Sequence, residues 1–204
     1  MNTEKLKSWG IYFLKNWWGV LLLLPFIIYS IHHYYWALEY NIFYSYNYDY
    51  PFPLNIIHLC VHTFLLITHE AGHTFFSIFG IRFITILGGS LFQILLPSAI
   101  VFFCWVNQKN IGMQFSLVLL GYSWMDIAAY AADGGAAQLP LIGGLGQESH
   151  DWHNLLTQMG ALEHDITFGV IFMIIGIICY LWSMLVPIFH KQYEEVAIEL
   201  DVDQ

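Results

Sequence analysis

Residues 54–79 read LNIIHLCVHTFLLITHEAGHTFFSIF, an apolar run longer than the roughly 20 residues needed to cross a bilayer, yet one that carries four histidines and a glutamate. At about 100° per residue on an α-helix, His58, His62, His69 and His73 fall within roughly 60° of one another, so one face of this span is polar throughout. A charge at mid-span costs about 2.5–3.5 kcal/mol on insertion scales, against about 0.3–0.6 kcal/mol gained per Leu, Ile or Phe. Glu70 therefore offsets several apolar residues, and an ionisable group kept inside a span is read as functional.

The rest of the chain has the same solvent. It is 58% hydrophobic and 18% aromatic with only 10% charged residues, which excludes an ordinary soluble domain. Further apolar runs extend from Trp17 to about Ile31, from Phe83 to Val106, from Ile111 to about Ala132 and from Ile166 to about Phe189. In 204 residues this predicts an all-α, polytopic transmembrane bundle of five to six spans. One transmembrane domain covers residues 1–190, and residues 191–204 form an acidic solvated tail holding Glu194, Glu195, Glu199, Asp201 and Asp203. Trp17 and Trp18 at one end of the first run, and His32 to Trp36 at the other, suit the membrane interface. That run has no small-residue cleavage site and leads into further spans, so it reads as a retained span and not as a signal peptide. Gly88, Gly89 and Pro97 interrupt the third run, a pattern of kinking or of a non-helical opening. Between Asp133 and Asp165 the chain turns polar and Gly-rich, with a short helix predicted at Leu155 to Leu162.

With six Lys and Arg in total there is no basic surface to neutralise a nucleic acid. Cys60, Cys104 and Cys179 are odd in number, far apart and set in apolar runs, so they read as small core residues. Lys5, Lys7 and Lys15 precede the first span, which places the N-terminus and Arg82 in the cytoplasm by the positive-inside rule.

Histidines four apart on a helix can both turn a ring nitrogen toward one ion, with the intervening Glu70 close enough to act on a water there. His69-Glu70-Ala71-Gly72-His73 thus has the spacing of a zinc hydrolase. A catalytic zinc normally takes three protein ligands, so a third must come from elsewhere. The candidates are Asp126 in the fourth span, Asp133 at its end, and the cluster His150, Asp151 and His153; Glu148 ranks below them. Asp126 also suits a partner that orients a ligand histidine, and Asp133 suits a turn residue before Gly134 and Gly135. His58 and His62 read first as packing histidines. The run Gly143-Gly144-Leu145-Gly146 would let the backbone bring His150 to His153 back toward the membrane.

Thr68-His69-Glu70-Ala71-Gly72-His73, followed by Gly88-Gly89 in the next span, resembles the site-2 protease family of intramembrane zinc metalloproteases over roughly Leu54 to Met184. The resemblance implies zinc bound by His69 and His73, water activated by Glu70, and a third ligand from an aspartate further along the chain. The family's Asn-Pro and Leu-Asp-Gly pattern is not present as such; Asp133-Gly134-Gly135 matches its last part. In the shorter bacterial relatives the aspartate opens an apolar segment shortly before the last spans, and Asp151, followed by Trp152 and Leu155-Leu156, looks like that position. Asp151 is therefore preferred over Asp133. The resemblance further implies a membrane protein or peptide as substrate, and residence in a bacterial inner membrane. The alternative is a non-catalytic membrane metal-binding protein or transporter that uses the same His/Asp/Glu face as an ion path.

Overall fold

The computed structural model describes residues 3–41, 50–141 and 146–189. The acidic tail, Gly143 to Leu145 and most of the connection from Tyr40 to Pro53 lie outside them. The described residues are helical without a strand: α1 (Thr3–Tyr40), α2 (Leu54–Phe76), α3 (Arg82–Val106), α4 (Asn110–Ala132), a short α5 (Asp151–Met159) and α6 (Asp165–Phe189). All but α5 contain a stretch long and apolar enough to span a membrane, so the chain is an all-α bundle of five candidate spans.

Two helices differ from the sequence reading in extent. α1 continues past Ile31 because its aromatic end is itself helical: Trp36 Nε1 donates to His32 Nε2 at 2.8 Å, and Trp36 stacks on Tyr40 with ring centroids 4.4 Å apart. These are contacts between neighbouring turns of one face. The short helix begins at Asp151 and not at Leu155, since the His150 side chain caps it by accepting from His153 N at 3.2 Å. The non-helical opening offered for the third span is absent: α3 runs from Arg82 to Val106 with Gly88, Gly89 and Pro97 buried inside it.

The packing explains those glycines. Apolar side chains gain nothing by leaving a hydrocarbon solvent, so transmembrane helices associate where small residues let backbones approach. α4 is the central helix, buried on nearly every side, and it packs most extensively on α6. Gly121 and Gly176 meet at that seam, where a Cβ on Gly176 would stand 2.9 Å from the Gly121 carbonyl oxygen. α2 and α3 form a second close pair, with Gly72 against the carbonyl of Gly88. α3 packs on α4, but α2 has little contact with α1 or α4, so a cleft remains between α2 and the α1–α4 pair. Polar ties close the opposite side of α4, where Gln114 donates from Nε2 to Asn16 O at 2.7 Å and accepts from Val20 N at 3.3 Å.

Candidate metal centre

The cleft widens into a cavity of about 440 Å³ whose wall includes His62, His69, Glu70 and His73 from α2, Thr85 and Gln93 from α3, and Asp126 and Tyr130 from α4. Asp151, the first residue of α5, completes one end. His69 Nε2 lies 2.8 Å from Asp151 Oδ2, and His73 Nε2 lies 3.1 Å from the same oxygen. The three ligand atoms all fall within 4.8 Å of one another, so His69, His73 and Asp151 form a group that can hold a metal ion. Burial would push the Asp151 carboxyl up, but hydrogen bonds from His69 and His73 outweigh it and hold it at about 2, which keeps it ionised.

α3 shapes this group from behind. His73 Nδ1 donates to the Thr85 carbonyl at 2.9 Å, since a carbonyl only accepts, and this leaves Nε2, which faces Asp151, as the nitrogen that can ligate an ion once it gives up its proton. Gly89, four residues on from Thr85, faces both rings: a Cβ there would stand 2.6 Å from Nε2 of His69 and 2.6 Å from Nε2 of His73. Gln93, four residues further, reaches His69 Nδ1 at 3.2 Å. A glycine between a backbone carbonyl and a side chain that each hold one imidazole thus leaves room where the two nitrogens converge.

No family model, curated protein or solved structure matches the chain.

The donor set itself fits a divalent metal. Two imidazole nitrogens and one carboxylate oxygen are three ligands of the kind zinc takes, with the cavity open on the remaining side. A tetrahedral zinc with ligands at about 2.0–2.1 Å holds them roughly 3.3 Å apart, close to the 2.8 and 3.1 Å found here. Glu70 is next to His69 in sequence and lines the same cavity with its side chain exposed.

The other sequence candidates lie elsewhere. Asp133 is fully buried and ties its own loop, accepting from Gln138 N at 2.7 Å, Leu139 N at 2.8 Å and pairing with His150 Nε2 at 3.2 Å. His150 is the cap of α5, and His153 Nδ1 donates to the Gly134 carbonyl at 2.7 Å. Asp126 lines the cavity but pairs with His62 Nδ1 at 3.1 Å, and it accepts from Gln93 Nε2 at 2.8 Å. His58 is a packing residue stacked on Tyr50, with Nδ1 2.6 Å from the Tyr122 hydroxyl. Glu148 is exposed.

Thr85 and Gln93 were not singled out from the sequence as parts of the site. Tyr130 accepts from Asp151 N at 3.1 Å, and its ring lies 5.8 Å from that of His69. The signal for Gln93 was present, since an amide in Leu91-Phe92-Gln93-Ile94 is as anomalous in a span as Glu70 is in its own.

Proposed function

We propose that this chain is an intramembrane zinc metalloprotease that hydrolyses a peptide bond in or beside a transmembrane segment of a membrane protein or peptide. The observation that carries this reading is the convergence of His69 Nε2, His73 Nε2 and Asp151 Oδ2 on the cavity wall that Glu70 shares. His69, His73 and Asp151 would hold a zinc ion, which would supply Lewis acidity and lower the pKa of a water in the cavity toward neutrality. Glu70 takes the proton from that water as it attacks the peptide carbonyl, and returns it to the leaving amine. One glutamate in both roles is enough, because the same proton is moved twice.

The cleft supports a substrate that arrives from the bilayer. α2 stands apart from α4, and the polar cavity between them reaches down to Leu139, Pro140 and Leu141 outside the spans. The cavity offers water a route to Glu70 by that side. A substrate helix has to unwind locally there, since its carbonyls are otherwise taken by its own hydrogen bonds. The lysines before the first span and Arg82 support an inner membrane protein with a cytoplasmic N-terminus, which puts the site nearer the cytoplasmic face.

A second reading, a membrane metal-binding protein or transporter, is favoured by the His62–Asp126 pair on the same wall, because paired ionisable groups inside a bundle also mark ion paths. Glu70→Gln divides the two. On detergent-purified full-length protein, metal analysis of wild type should give about one zinc per chain, retained in Glu70→Gln and lost in His69→Ala. Cleavage of reconstituted single-span substrates should disappear in Glu70→Gln. Wild-type protein without zinc after chelator-free purification sinks the hydrolase, whereas zinc transport that survives Glu70→Gln selects the second reading.

A further inference from the structure

His69 is joined to a carboxylate that it does not touch. Its Nδ1 lies 3.2 Å from Gln93 Oε1, and Gln93 Nε2 donates to Asp126 Oδ2 at 2.8 Å. The other Asp126 oxygen lies 3.1 Å from His62 Nδ1 and accepts from the Tyr34 hydroxyl at 3.4 Å. Asp126 is thus held from α1, α2 and α3 at once, while Gln93 is only 2% exposed.

Donor and acceptor chemistry give this chain one direction. An ionised carboxylate only accepts, so Gln93 must turn its amide NH₂ to Asp126, and that turns Oε1 to His69. Oε1 also only accepts, so Nδ1 of His69 carries a hydrogen, and Nε2, which faces Asp151, is the nitrogen left to ligate an ion once it gives up its proton. The ring is fixed in tautomer and in orientation by one bond. An amide between a part-buried carboxylate and a buried imidazole also passes polarisation along the chain.

We infer that Gln93 is a positioning residue of the metal centre, and that Asp126 acts on His69 through it. This rests on the reading of His69, His73 and Asp151 as metal ligands. Partners at one remove from a metal typically change its affinity by about 10- to 100-fold when removed. A side chain that merely packed would change stability and leave affinity alone.

The test is zinc affinity, measured on the full-length chain in detergent by competition with a chromophoric chelator, for wild type, Gln93→Leu, Asp126→Leu, the double variant and Gln93→Glu. Gln93→Leu and Asp126→Leu should each weaken binding about 10- to 100-fold. The double variant should be no weaker than Gln93→Leu, because the amide carries the effect of the carboxylate to His69. Gln93→Glu should restore most of the affinity, since a protonated carboxyl donates to Asp126 and accepts from His69 as the amide does. Unchanged affinity in Gln93→Leu, or a double variant that multiplies the single effects, overturns the inference while leaving the metal site standing. Should Gln93→Leu fail to fold, Asp126→Leu decides alone, because it touches no ligand and unchanged affinity there has the same meaning. Wild-type protein that binds no zinc removes the metal reading itself, a separate failure visible in the first titration.

Discussion

Gly89 and His73 face each other across the α2–α3 contact so closely that a Cβ on the glycine would stand 2.6 Å from the imidazole Nε2. The same Cβ would meet His69 Nε2, so the smallest possible addition to α3 enters the place where the ligand atoms converge.

Gly89→Ala should therefore separate stability from metal binding. Alanine gains about 1 kcal/mol of helix propensity over glycine, while overpacking costs about 1–3 kcal/mol, so the metal-free protein should unfold within a few degrees of wild type. Both imidazoles must move aside, and zinc stoichiometry should fall well below one per chain. Thermal unfolding of the metal-free form and metal analysis, run on one preparation, check the two halves. Full zinc occupancy in Gly89→Ala would show that the ligands converge elsewhere.

Asp151 and Asp133 should behave as opposites. Asp151→Ala removes the one carboxylate within reach of both histidines and should abolish zinc retention with a modest effect on folding. Asp133→Ala leaves the N–H groups of Gln138 and Leu139 and the ring of His150 without their acceptor, at a cost on the order of 2 kcal/mol, yet it should keep its zinc. Chemical unfolding and metal analysis of both variants, side by side, would show it. Zinc lost from Asp133→Ala and kept by Asp151→Ala would exchange their roles.

The spans were legible because hydrocarbon length is a hard constraint, and 54–79 reads as a helix by length alone. His69, Glu70 and His73 were legible because one helix sets their spacing. Asp151 was not fixed by spacing, since it lies 82 residues from His69 on another helix, and only the turn of the chain after α4 brings it back. Gly88 and Gly89 misled for a related reason. Read alone they weaken a helix, but packed on Gly72, Phe76 and the two imidazoles they are what lets α3 approach α2. The end of α1 was missed because His32 to Trp36 suit an interface by composition, whereas their hydrogen bond and stacking continue the helix.

The α4–α6 seam gives a stability prediction remote from the site. A Cβ on Gly121 would stand 2.6 Å from the Tyr180 ring and 3.0 Å from the Gly176 carbonyl oxygen, and neither helix can yield without losing the contact. Gly121→Val should cost about 3 kcal/mol or more, by overpacking and by separating the backbones. The loss is read as a lowered unfolding midpoint in detergent. Protein that remains folded should keep one zinc per chain, because α2 and α5 supply the ligands; a selective loss of zinc with an unchanged midpoint would contradict this packing.

Tyr130→Phe tests how firmly Asp151 is held. Asp151 is the first residue of α5, so its N–H has no partner inside the helix, and the Tyr130 hydroxyl accepts it at 3.1 Å. Removing that oxygen leaves a part-buried donor unpaired, at a net cost of about 0.5–1.5 kcal/mol. The helix start then loses a restraint at the residue whose carboxylate bridges the two histidines. Zinc affinity should fall by roughly 2- to 12-fold, the equilibrium equivalent of that energy, with the stoichiometry still one. Chelator competition on Tyr130→Phe, set beside Asp151→Ala, measures this. Affinity equal to wild type would mean that α5 is held without Tyr130, and loss as complete as in Asp151→Ala would make Tyr130 a ligand rather than a support.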